Sequence, residues 1–134
     1  MKPIQYALMA TTVANVGGGI TFALLALFKQ YPMLVDPVQM DEQSRWHYIM
    51  LWAFVAVIGL GYGVASRDPA RQTAMLLIGG LGKVTAAAIW AYMAWIGIGS
   101  PLVLPAVGFD GGLGIWFLVF VAQTWFGGRT AASR

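Results

Sequence analysis

The sequence has no cysteine, a single histidine and few charged residues. The lack of cysteine excludes disulfides, thiolate-bound metals, iron–sulfur clusters, covalently attached haem and thiol redox chemistry. Because His47 is the only histidine, a bis-histidine haem or a histidine-rich metal site cannot form within one chain. Every serine lies near the end of an apolar segment or in a polar stretch, so no hydrolytic triad can assemble at one depth. We therefore expect no metal, no cofactor and no enzymatic activity.

The scarcity of charge also excludes an ordinary soluble domain. Charged residues make up 10% of this 134-residue chain, whereas soluble domains carry roughly 25%. Hydrophobic residues make up 59%. The chain therefore has too little polar surface to face water, and lipid must surround most of its exterior.

Four apolar segments are each long enough to cross a bilayer, which takes about 20 residues in a helix. We predict spans at about residues 3–28, 46–66, 72–97 and 110–127, in a single transmembrane domain that covers residues 1–134. The predicted fold class is an all-α integral membrane protein, a four-helix transmembrane bundle. The connection at residues 67–71 is so short that the second and third spans must be antiparallel neighbours.

The basic residues are divided unequally between the two ends of this bundle. One end holds Lys29 and Arg45, and the other holds five: Lys2, Arg67, Arg71, Arg129 and Arg134. Because Lys and Arg accumulate on the cytoplasmic side of a membrane, we predict that both termini are cytoplasmic and that the protein is a multi-pass protein of a bacterial inner membrane. The net charge of +3 is then a signal of topology and of anionic lipid, and we expect no nucleic-acid partner.

Lys83 lies near the middle of the third apolar segment, where a charged side chain is costly and marks a candidate functional site. Asn15 lies at a matching depth, about 18 Å along its span at a rise of roughly 1.5 Å per residue. We predict that its carbonyl oxygen accepts a hydrogen bond from the lysine, and that the hydroxyls of Thr11 and Thr12 add to the site. With Asp110 at the outer end of the fourth span, no acidic residue lies within a span to act as counter-ion. On this basis Lys83→Met should be tolerated, whereas Asn15→Leu should destabilise the protein.

Small residues predict where the helices approach one another closely. Gly59 and Gly63 form a small-xxx-small pattern, which is typical of helix contacts in membranes. Gly79 and Gly80 lie one turn from Lys83 and allow a neighbouring helix to cover the lysine stem.

Two functions remain open from these residues. The first is non-enzymatic binding of a lipid, a quinone or a partner helix in an intrabundle cavity around Lys83, lined by Asn15, Thr11, Thr12 and Trp90. The second is a small transporter or channel subunit that works as an oligomer and uses Lys83 as a proton or anion site. The polar residues occupy the centre and one half of the bundle, which favours binding over passage. The expected partners are membrane lipid, an apolar small molecule, and either a second copy or another membrane protein.

The layout resembles a known group of proteins. The four spans, the turn Arg-Asp-Pro-Ala-Arg at residues 67–71 and the stretch Gly-Gly-Leu-Gly-Lys at residues 79–83 are similar to those of small DoxX-like bacterial membrane proteins, most of which are uncharacterised. The resemblance implies a four-helix bundle in a bacterial inner membrane, and it assigns no functional residue.

Overall fold

The chain is folded almost entirely into helices. The computed structural model describes residues 2–35 and 40–131, with side chains up to residue 126. Within these ranges there are four α-helices: α1 (Pro3–Leu27), α2 (Glu42–Ala65), α3 (Thr73–Trp95) and α4 (Val103–Ala131). All four are long and apolar enough to cross a membrane, which confirms the all-helical fold and indicates a multi-pass membrane protein. Arg134, which contributed to the prediction of orientation, lies outside the described residues.

The outward faces of the helices are apolar. Large side chains such as Val13, Ile78 and Leu104 are exposed on α1, α3 and α4. In water such surfaces would drive aggregation, so their natural solvent is lipid.

The helix α2 begins at Glu42, four residues before the predicted start of the span. Asp41 is its N-cap, and its carboxylate accepts a hydrogen bond from the backbone N–H of Ser44 at 2.6 Å. Hydrogen bonds from the side chain and from the backbone N–H of Ser44 hold the pKa of Asp41 below its usual value of 3.8. The cap satisfies one of the backbone donors that a helix N-terminus leaves without an intrahelical partner.

The helix α4 begins at Val103, seven residues before the start predicted from the sequence at Asp110. Pro105 does not prevent this, because it lies in the first turn, where a backbone N–H would have no intrahelical acceptor. The prediction that no acidic residue lies within a span was therefore wrong. Asp110 lies two turns inside α4.

The four helices form two tightly packed hairpins. α1 packs along α2 in the first hairpin, α3 packs along α4 in the second, and the contacts between the hairpins are sparse. Glycines set the close approach within each hairpin. A Cβ atom built on Gly59 would lie 2.9 Å from the Cβ of Asn15, and one built on Gly114 would lie 2.9 Å from the carbonyl oxygen of Gly80. Small residues therefore hold each pair together, and larger side chains fill the space between the pairs.

Two apolar clusters occupy the core at opposite ends of the bundle. The first, here called the turn-end cluster, lies near the α2–α3 turn and contains Ile4, Ala7, Leu8, Tyr62, Ala65, Leu76, Phe117 and Val121. The second, here called the loop-end cluster, contains Ala26, Tyr31, Met33, Tyr48, Trp52 and Val103. The turn-end cluster contains residues from the starts of α1 and α3 and from the later parts of α2 and α4. Consecutive helices therefore run in opposite directions.

Backbone hydrogen bonds join the hairpins at the loop end. The N–H of Val35 donates to the carbonyl of Ile98 at 3.1 Å, and the N–H of Ser100 donates to the carbonyl of Met33 at 3.1 Å. The hydroxyl of Ser100 also donates to the carbonyl of Pro32. The α2–α3 turn joins the hairpins covalently at the other end, so only side chains connect them in the middle.

Candidate functional site

A buried ion pair lies in the middle of the bundle. Lys83 on α3 forms a salt bridge with Asp110 on α4. The lysine side chain is 6% exposed and the aspartate side chain is 21% exposed. Both residues belong to the second hairpin.

The lysine also reaches the first hairpin. Its Nζ atom lies 3.4 Å from Oδ1 of Asn15 on α1, on the diagonally opposite side of the bundle. This is the contact that matched depth predicts. At 3.4 Å it is long for a hydrogen bond, and the charged partner Asp110 dominates the electrostatics of the site.

Aromatic rings cover the remaining side of the ammonium group. The Nζ atom lies 5.8 Å from the ring centroid of Tyr62 and 5.4 Å from that of Phe109. Such distances allow a cation–π attraction, which strengthens when the charge is removed from water. An ammonium group has three N–H donors. One faces Asp110 and one faces Asn15, while the third has no hydrogen-bond acceptor among the described residues.

The structure corrects the predicted surroundings of Lys83 in one respect. The sequence predicted a lysine without a counter-ion, but Asp110 supplies one because α4 begins earlier than expected. The hydroxyl of Thr11 donates to the carbonyl of Ala7 at 2.8 Å, and that of Thr12 donates to the carbonyl of Leu8 at 2.8 Å. The contribution of these two threonines to the site stays a prediction.

Trp90 lies about two turns from Lys83, packed against the loop-end cluster. The ring of Trp90 stacks on that of Trp52 with centroids 6.3 Å apart. Phe22 also packs on Trp52, with ring centroids 4.4 Å apart. In the same cluster, Tyr48 Oη and Trp52 Nε1 are buried and have no hydrogen-bond partner within the described part of the chain. Buried donors are normally satisfied, so these two groups are exceptions within the described residues.

The four glycines singled out in the sequence all lie at helix contacts. Gly59 faces Asn15, and Gly63 faces Thr12, both across the α1–α2 interface. Gly80 faces Gly114 in the second hairpin, and Gly79 faces Tyr62, where the two hairpins meet. Gly59 and Gly79 therefore contact two residues that surround Lys83, Asn15 and Tyr62. A bulkier residue at either glycine would displace its neighbour.

An open cavity lies elsewhere, at the turn end of the bundle. It has a volume of about 190 Å³ and is lined by Lys2, Ile4, Gln5, Arg67, Asp68, Pro69, Ala70 and Phe120. The sequence predicted a cavity around Lys83; in the structure the side chains of Asp110, Asn15 and Tyr62 lie against the lysine, and the cavity stays a prediction. Sequence reasoning did not find the turn-end cavity, since its lining comes from three separate stretches of the chain.

Fold and site together define a four-helix bundle of two hairpins with a charged pair buried between apolar layers. Among the described residues, no group of three or more His, Cys, Asp or Glu side chains could hold a metal ion. No protein-family model, curated protein or solved structure matches the chain. The resemblance to DoxX-like proteins stays a prediction.

Proposed function

We propose that the protein binds an apolar molecule with a carbonyl-bearing polar head, such as a quinone or a lipid, at the Lys83–Asp110 pair between the two hairpins. The observation that carries this proposal is an ion pair within an apolar bundle, with a buried lysine and a half-buried aspartate, since such groups are costly in lipid and are usually functional. The role is binding without catalysis.

The charges at the site argue for a neutral head group. Asp110 already balances Lys83, so a ligand or partner helix with its own charge would leave one charge unpaired, which is strongly unfavourable when buried. A neutral carbonyl oxygen needs only a donor. The third N–H of Lys83 can serve.

The packing supports access from the lipid. Contacts between the hairpins are sparse, so an apolar molecule can enter sideways between them without breaking the tight glycine interfaces. The ring of Trp90 is half-buried and offers a flat surface against which a ring can stack.

Binding can be tested with purified protein in detergent and a benzoquinone that carries a decyl tail. Quenching of tryptophan fluorescence reports the titration, and native mass spectrometry reports any molecule that is retained during purification. We expect Lys83→Met and Asp110→Asn each to weaken binding at least tenfold. Lys29→Met removes a cation at the exposed loop and is the matched control. Equal affinity in Lys83→Met and the parent would contradict the proposal.

A second candidate is a proton or anion pathway through an oligomer, in which Lys83 is the ion site. It is favoured by the unequal exposure of the pair, because Asp110 is 21% exposed while Lys83 is 6% exposed. The test is proton flux into liposomes that contain the protein and a pH-sensitive dye. Flux that exceeds that of protein-free liposomes and is lost in Asp110→Asn would favour this function over binding alone.

The proposed setting is a bacterial inner membrane with both termini in the cytoplasm. The excess of Lys and Arg at the turn end and in the terminal segments supports this orientation. Reporter fusions after Arg71 and after Arg134 should both report cytoplasm, and a fusion near Pro101 should report the outside. Opposite sides for the first two would exclude the arrangement.

A further inference from the structure

We infer that the turn-end cavity is a second, independent site, which binds a phosphate-bearing anion such as the head group of an anionic phospholipid. The cavity is far from Lys83 and plays no part in the function proposed above. The cavity has a volume of about 190 Å³. This is enough room for a phosphate group with its glycerol, while acyl chains would remain in the surrounding lipid.

The charges of the lining select an anion. Lys2 and Arg67 contribute two positive charges from separate segments, one at the start of α1 and one in the α2–α3 turn. Among the described residues that line the cavity, Asp68 is the one acidic residue, and it is already paired with Arg71, whose Nε lies 3.2 Å from its carboxylate. The net charge around the cavity is therefore positive, and guanidinium and ammonium groups are the usual ligands of phosphate.

The walls of the cavity suit an amphiphile better than a fully hydrated ion. Ile4 and Pro69 are buried, and Phe120 contributes an aromatic wall from α4. Cations at the rim and apolar groups below them match a molecule whose charged head lies at the membrane surface and whose remainder is apolar. A lipid head group meets both conditions, whereas free phosphate meets only the first.

One side chain holds the cavity in shape. The Oε1 atom of Gln5 accepts a hydrogen bond from the backbone N–H of Lys2 at 2.7 Å, and its Nε2 atom donates to the carbonyl of Ser66 at 3.0 Å. Gln5 thus connects the start of α1 to the end of α2. Lys2 and Arg67 are held on the same side of the bundle before any ligand arrives.

The test is a thermal unfolding titration in dodecylmaltoside with three probes: phosphatidylglycerol, phosphatidylcholine and inorganic phosphate. We expect phosphatidylglycerol to raise the unfolding temperature, and phosphatidylcholine, which has no net charge, to have little effect. Stabilisation by inorganic phosphate as well would identify free phosphate as an alternative source of the same chemistry. If neither anion stabilises the protein more than phosphatidylcholine does, the inference is wrong.

Variants separate binding from a structural effect. Arg67→Gln should weaken the apparent affinity for phosphatidylglycerol about fivefold, as expected for the loss of one basic residue near a lipid surface, and Arg67→Lys should restore most of it. Asp68→Asn should strengthen binding, because it removes a repulsive carboxylate. Lys29→Gln removes the same charge at the opposite end and should change nothing. Equal weakening by Lys29→Gln and Arg67→Gln would mean a general charge effect and would overturn the site.

Discussion

Breaking the Lys83–Asp110 pair should cost more than any other single polar substitution in the bundle. Removing one partner of a buried ion pair typically costs about 3–5 kcal/mol. Asp110→Leu should lie at the upper end of that range, because it leaves an ammonium group that is only 6% exposed. Lys83→Met should lie at the lower end, because the carboxylate left behind is 21% exposed and can be hydrated.

Removing both charges should restore most of the stability. In Lys83→Met/Asp110→Leu no buried charge remains, and apolar replacements of buried ion pairs are often neutral or stabilising. We expect the double variant to unfold within about 1 kcal/mol of the parent. For a chain of this size, 1 kcal/mol corresponds to about 4 °C in the unfolding temperature, so each single variant should lose about 12 °C or more.

The assay is a double-mutant cycle of thermal unfolding in detergent, followed by loss of the folded peak in size-exclusion chromatography. Asp68→Asn is the control, since it removes a carboxylate from an exposed pair with Arg71 and such pairs contribute about 0–1 kcal/mol. The coupling energy of the cycle is the measured quantity. Single effects that add within error would show that the two side chains do not interact, and the site described here would then be wrong.

Further substitutions test the helix contacts, the loops and the caps. Asn15→Leu should cost only about 1 kcal/mol in the same assay, because Asp110 still holds the lysine; this reverses the order expected from the sequence, and a larger loss than for Lys83→Met would contradict it. Gly114→Ala places a methyl group 2.9 Å from the Gly80 carbonyl and should cost about 1–3 kcal/mol, whereas Gly82→Ala meets nothing within 4 Å and should be harmless. Ser100→Ala removes the bond to the first loop and should cost about 1 kcal/mol. Asp41 has a lowered pKa in the folded state, so its contribution to stability is present above pH 3.8 and is lost as the pH falls through the folded-state pKa. Asp41→Ala should therefore unfold more easily than the parent at neutral pH. In strong acid the two proteins should have the same stability.

The hydrophobic pattern alone was sufficient to predict the fold class. A chain with 10% charged residues and four apolar segments has few alternatives to a helical bundle in lipid, since only helices and closed barrels satisfy their backbone hydrogen bonds there. The depth of Lys83 and Asn15 also follows from residue counting, because each lies near the middle of its segment and a helix rises by a fixed amount per residue. The hydrophobicity of a segment and the depth of a residue within it depend on that segment alone, so both can be predicted from the sequence.

The partner of Lys83 was decided by the tertiary structure. Asp110 lies next to a proline- and glycine-containing stretch that indicates a loop, and only the packing of residues 103–110 against the loop-end cluster continues the helix through it. The hydroxyls of Thr11 and Thr12 donate to backbone carbonyls four residues earlier, as a serine or threonine in a helix can, and composition does not reveal that choice. The turn-end cavity joins the start of α1, the α2–α3 turn and the middle of α4, residues that are distant in the sequence and meet only when the two hairpins dock.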